Sequence, residues 1–243
     1  MSLHTFYPNR YVLHHLSIGK QLEQELRIRI ISQDIEKGTV LSENQIAKAY
    51  SISRSPVREA LRTLENERLV RLERMGVVVT GLTEKDIEEI YDIRLMVESF
   101  VMNRLLESDS DALVHELRKI LGMMEVAVKF QDVDEFSLRD IQFHETIIRF
   151  IEHQQIAIVW DQLKPVMECL IILSMRYRAI TAFNDFNRIL ENHALMIEAI
   201  QTKDPKIIEQ AFYRNFDDVQ NQVEDLWTNS NMLKKVREYV DQK

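Results

Sequence analysis

Apolar residues recur at helical spacing along almost the whole chain. From Ile18 the positions Leu22, Leu26, Ile30 and Ile31 mark one stripe, with Glu23, Gln24, Arg27 and Arg29 on the other faces, and predict a first helix over 18–35. Lys37-Gly38-Thr39 reads as its stop. Ser42 followed by Glu43, Asn44 and Gln45 has the form of a capping box and opens a short helix through Tyr50. Ser53 caps a third helix from Arg54 to about Glu67, with Pro56 in the first turn, where a missing N–H is harmless. Two short helices this close together make a helix-turn-helix. The runs 69–72 and 77–80 are β-rich and flank a turn at Arg74 to Gly76, which predicts a small hairpin, a wing.

Beyond the joint at Thr80-Gly81-Leu82 the same periodicity predicts helices at roughly 83–107, 110–130, 132–151, 154–180, 183–202, 205–228 and 230–240. Short connections make neighbours antiparallel, so an all-α bundle follows. Pro165 is expected to kink its helix and Gly122 to let another helix come close. The predicted fold is mainly α, with a winged helix-turn-helix over 1–80 and an all-α helical bundle over 81–243. The 5 Gly and 4 Pro among 243 residues agree with long helices and few turns. There is neither a long apolar run nor a basic-then-apolar leader, so a membrane span and export are unsupported and a cytoplasmic location is expected. The single Cys169 excludes an intrachain disulfide and a Cys-based zinc cluster, and reads as buried filler.

Charge divides the chain as the periodicity does. The net charge is −8, yet residues 1–80 hold 12 Lys/Arg against 9 Asp/Glu and the remainder 19 against 30. In the basic part, the first turn of the third helix sets Arg54, Ser55 and Arg58 outward while Val57, Leu61 and Leu64 face in, and Arg62 continues the basic face. An Arg at a helix start reaches a guanine edge when the helix enters the major groove, and Ser hydroxyls bind phosphates. Surface arginines on an ordinary solvated helix are the alternative, and the tight turn and wing argue against it. In the acidic part, Asp140 and His144 lie four apart on one helix face, a spacing that lets them share a metal or an anionic ligand, or form a surface ion pair. His193, among Leu190, Met196 and Ile197, is either a third member of that site or a satisfied half-buried histidine.

The stretch LSENQIAKAYSISRSPVREALRTLENERLVRLERMGVVVT resembles the winged helix-turn-helix of the GntR family of regulators along its whole length. The resemblance implies that Arg54 and Arg58 contact base edges or adjacent phosphates, that Ser42, Asn44, Ser53 and Ser55 contact backbone or bases, and that the wing tip near Gly76 enters the minor groove. Arg74 joins them as a wing contact from its place in the turn. A single winged domain covers a half-site, so a homodimer on a pseudo-palindromic operator is expected.

The helical segment from about Thr83 to Trp227 resembles the ligand-sensing FCD domain of the FadR-type members, which implies that residues 81–243 bind an effector and dimerise. In that family an Asp and a His four apart, with two later His, hold a metal. Asp140, His144 and His193 match the first three, and Asn215 stands where the last His is usual. The implied cofactor is a divalent cation such as zinc on Asp140, His144 and His193, with Asn215 as a poorer metal ligand that suits effector hydroxyls. Arg94 matches a family arginine that faces an effector carboxylate, the alternative being a salt bridge to Glu98. Arg176 and Arg178 are further effector candidates, of which only one is expected to face inward. The stretches RLERMGVVVTGLTEKDIEEIYDIRL, DEFSLRDIQFHETIIR, LKPVME and NFDDVQNQVEDLW are similar to family members that govern gluconate use. That likeness implies a repressor released from its operator by gluconate. The alternatives are another sugar acid or carboxylate as effector, or a helical metalloenzyme fused to a DNA reader.

Overall fold

The computed structural model describes residues 7–8, 16–74, 76–211 and 213–214. The chain divides into two compact units, with the break between Thr83 and Glu84.

The first unit opens with α1 (Ile18–Ile31), capped by the Ser17 hydroxyl on the Lys20 N–H. The helix stops four residues short of the predicted end because Gln33 turns to a φ of 59°. Glu23 and Arg27, expected on outward faces, are buried. Arg27 donates from Nη2 to Glu23 Oε1 at 2.8 Å and to Glu67 Oε1 at 2.6 Å, so the charges lie paired where α1 packs on the third helix.

A short strand β1 (Val40–Leu41) precedes α2 (Glu43–Tyr50) and α3 (Arg54–Asn66). The turn between the helices is made by Ser51 at a φ of 56° and by the Ile52 N–H on the Ala47 carbonyl at 3.0 Å. Ser42 and Ser53 stand at the N-caps as expected, but neither side chain bonds its helix, so the capping box is correct in position and not in its hydrogen bond.

The wing consists of β2 (Val70–Glu73) and β3 (Gly76–Val79), and it is part of a three-stranded antiparallel sheet in the order β1-β3-β2. Glu73 pairs with Gly76, which leaves a two-residue loop at its tip. Gly76 has a φ of 143°, and a Cβ there would stand 2.9 Å from the Leu41 carbonyl oxygen and 2.9 Å from Val40 Cγ1. Glycine is what lets β1 close on the wing.

The second unit contains α4 (Glu84–Leu105), α5 (Asp111–Lys129), α6 (Val133–Phe150), α7 (Gln154–Thr181) and α8 (Asp185–Thr202), and a further helix opens at 205. Helix α6 is the hub, packing on α4, α5 and α7, while α8 packs on α5. Helix α7 runs on through Pro165 and is buried almost continuously from Val166 to Arg178, Cys169 included. Gly122 does not serve a close helix contact: nothing lies within 4 Å of the Cβ position, and it opens on an outer groove with Met123, Val126 and Phe130. No described helix is long and apolar enough to cross a membrane.

Because Gly76 is both at positive φ and against the β1 backbone, Gly76→Ala is expected to destabilise the first unit by roughly 1–3 kcal/mol, read as a lowered urea midpoint.

Candidate functional site

Val57, Leu61 and Leu64 are at most 1% exposed and pin α3 down. That anchoring turns Ser53, Arg54, Ser55, Arg58 and Arg62 outward, with Asn44 exposed, Ser42 half-buried, and Arg74 exposed at the wing tip beside Gly76. Glu43, in the first turn of α2, gathers the two leading arginines. Arg58 donates from Nε and Nη2 to its two oxygens at 3.0 Å each, and Arg54 from Nη2 at 3.2 Å. The bond from Arg58 holds the Glu43 carboxyl below the usual range. This fork was missed in the sequence, where Glu43 served only a capping pattern. Exposed ion pairs are weak. The fork holds both guanidiniums together by contacts that another acceptor can replace.

The second constellation is buried. Phe136, Asp140, Phe143, His144 and Ile147 line the inward stripe of α6, where helical register calls for apolar side chains. Asp140, His144 and His193 are 5%, 1% and 0% exposed, and one ligand atom from each lies within 4.8 Å of the others. The His193 Nδ1–H donates to the Ile189 carbonyl at 2.8 Å, which turns Nε2 to within 3.2 Å of Asp140 Oδ1. His144 donates from Nδ1 to Glu98 Oε2 at 2.8 Å, and Arg94 donates from Nε to Glu98 Oε1 at 2.7 Å. The Phe143 ring packs edge-on against both imidazoles, at 4.6 Å from His193 and 5.7 Å from His144.

Burial pushes the Glu98 carboxyl up, but the Arg94 guanidinium and His144 outweigh it and hold the group down at about 2. Burial likewise works against the Asp140 carboxylate, and the His193 ring beside it, with His144 and Arg94, brings it down to about 2. His144 is pushed down by burial, Glu98 opposing, so at neutral pH it is a neutral ring. Two carboxylates thus face one guanidinium.

The donor set fits a divalent cation. Two imidazoles and a carboxylate with an open position are a known ligand complement, and their spread is close to that of ligands about 2.1 Å from one ion. Each imidazole has its Nδ1–H committed to an acceptor, which leaves Nε2 as the lone-pair nitrogen, the arrangement that orients metal-binding histidines. Nε2 of His193 stands 3.2 Å from Asp140 Oδ1, a pair that either a proton or a metal ion between them satisfies.

Other expected residues fall differently. Arg94 is 1% exposed and in the salt bridge to Glu98, the alternative reading. Arg176 and Arg178 are both buried, against the expectation that only one faces inward, because each has a carboxylate. Arg176 bonds Asp134 at 2.8 and 3.3 Å, and Arg178 bonds Asp185 at 2.8 Å. Asp134 precedes Asp140 by about 9 Å along α6. Asn215 lies outside the described residues. The contact between Glu98 and His144 was not legible, since it joins helices 46 residues apart.

Residues 18–79 match the gntR family of bacterial regulatory proteins and residues 89–218 match the FCD domain. The chain is 55% identical over 233 residues to a gluconate operon transcriptional repressor of Bacillus subtilis (strain 168), covering 96% of each chain. It is 53% identical to a protein of the same description from Bacillus licheniformis, again over 96% of each. Among solved structures, E. coli McbR/YncC shares the fold, with a TM-score of 0.68 at 18% identity over 87% of this chain and 99% of that one. These matches account for both units, the helix-turn-helix with its wing and the helical bundle, and they are matches to regulators and not to enzymes. The chain belongs to the GntR family of bacterial transcriptional regulators and carries its FCD domain.

Proposed function

We propose that this regulator represses gluconate-utilisation genes and leaves its operator when gluconate binds in the helical bundle. The observation that carries the reading is the buried Asp140, His144 and His193 cluster, in a chain 55% identical to a gluconate operon repressor. Asp140, His144 and His193 would hold a divalent ion, which would supply a Lewis-acid seat for an effector carboxylate, and Glu98 fixes the ring of His144. Arg94 keeps Glu98 ionised, so its part is to position the site through that carboxylate.

At the other end, Arg54 and Arg58 read base edges. Ser42, Asn44, Ser53, Ser55 and Arg62 contact the backbone or neighbouring bases, and Arg74 and Gly76 bring the wing to the minor groove. Two copies of this face are needed for a palindromic site, so the working form is a homodimer, acting in the cytoplasm where the operator is. Gluconate must bind the DNA-incompetent arrangement better, and a hundredfold preference corresponds to roughly 2.7 kcal/mol of coupling.

Operator binding measured by fluorescence anisotropy is expected to weaken about a hundredfold in saturating gluconate. An operator affinity that millimolar gluconate leaves unchanged would refute induction by this acid. Arg58→Ala is expected to abolish operator preference over unrelated DNA while sparing the gluconate response of the bundle, read as a thermal shift. Glu98→Gln leaves Arg94 buried without its ionised partner, and is expected to lower unfolding stability by roughly 3–5 kcal/mol in urea titration.

A further inference from the structure

The face of α4 that supplies Arg94 and Glu98 carries a third buried polar group. Tyr91, Arg94 and Glu98 are spaced i, i+3 and i+7 and so stack along one side of the helix. Glu98 touches His144, so this side of α4 looks onto the Asp140, His144 and His193 cluster, and Tyr91 sits on it one turn from Arg94. Its side chain is 4% exposed and its hydroxyl has no hydrogen-bond partner among the described residues. Burial pushes the Tyr91 pKa up, with Arg94 opposing and the Asp140 carboxylate adding to the rise, so the group stays a neutral hydroxyl that both donates and accepts.

Three neighbouring polar atoms have partners within the protein. His144 Nδ1 is on Glu98, His193 Nδ1 on the Ile189 carbonyl, and Arg94 Nε on Glu98. Buried hydroxyls in native proteins are normally met by a partner, and one left unmet beside a cluster that suits an ion and a carboxylate points to a partner on the ligand. Charge recognition belongs to the cluster, and a neutral hydroxyl complements a neutral hydroxyl.

We infer that Tyr91 is the specificity-determining residue of the effector site: its hydroxyl bonds a hydroxyl group of a polyhydroxy carboxylate whose charged end is held at Asp140, His144 and His193. The inference rests on the effector reading proposed above and sharpens it. A site that hydrogen-bonds a ligand hydroxyl rejects the analogue lacking it far more strongly than an apolar pocket does, because its own polar group is then stranded.

The test is calorimetric titration of the full-length protein and Tyr91→Phe with gluconate and with hexanoate, a carboxylate of the same chain length without hydroxyls. Phe fills the same volume, and the lost hydroxyl has no hydrogen-bond partner among the described residues, so the unfolding midpoint and the operator affinity without effector are expected to be unchanged. Gluconate binding is expected to weaken by about tenfold or more, with hexanoate binding unaltered. Undiminished gluconate affinity in Tyr91→Phe would overturn the inference and leave the proposed function standing. Equal weakening for both acids would overturn it too, by assigning the hydroxyl to the carboxylate. Gluconate failing to bind the unsubstituted protein would refute the proposed function and the inference with it.

Discussion

The second unit is organised around one ionised carboxylate in a place without water. Glu98 accepts from Arg94 on its own helix and from His144 on α6, all three side chains at most 2% exposed. Taking a carboxylate out of water costs several kcal/mol, and it persists only where a counter-charge and hydrogen bonds surround it. Arg94 supplies the counter-charge, and the imidazole occupies the second oxygen. The second bond has a consequence at the far side of the ring. With Nδ1–H given to Glu98, His144 presents Nε2 as its free lone pair, and the Ile189 carbonyl does the same for His193. Two rings of fixed tautomer and the Asp140 carboxylate then form a donor set that fits a divalent cation. An apolar trio would pack the same space at no loss of stability. The polar cluster is therefore a feature that packing alone does not explain.

The first unit handles its charges in the opposite way. Glu43 gathers Arg54 and Arg58 in water, where the pairs are weak and exchangeable, while the apolar face of α3 does the anchoring. Arg27, buried between Glu23 and Glu67, ties α1 to the end of α3. A rigid support under a loosely held guanidinium pair fits the operator-binding face proposed for this unit.

Much of this was legible along the chain. Stripes such as Val57, Leu61 and Leu64 located α3 within a residue, and the bundle helices up to Thr202 fell close to their predicted bounds, because long helices with one apolar face repeat their signal many times over; the predicted helix 230–240 and most of 205–228 lie outside the described residues. Asp140, His144 and His193 stood out through the family's spacing. Partners that depend on tertiary approach were not legible. Strand β1 is two residues long and has no period to read. Glu23 and Arg27 look like solvated charges until Glu67 arrives from 40 residues away. Arg176 and Arg178 each found a carboxylate, so both could be buried where the sequence argued for one.

The central claim is that the cluster held by Glu98 is a cation seat through which an acid acts on DNA binding. The direct measurement is elemental analysis of the purified full-length protein, followed by operator release by gluconate before and after exhaustive chelation. About one divalent ion per chain is expected, with release lost on stripping and restored by adding the ion back. Release by gluconate at the same concentration from protein shown to contain no metal would contradict it.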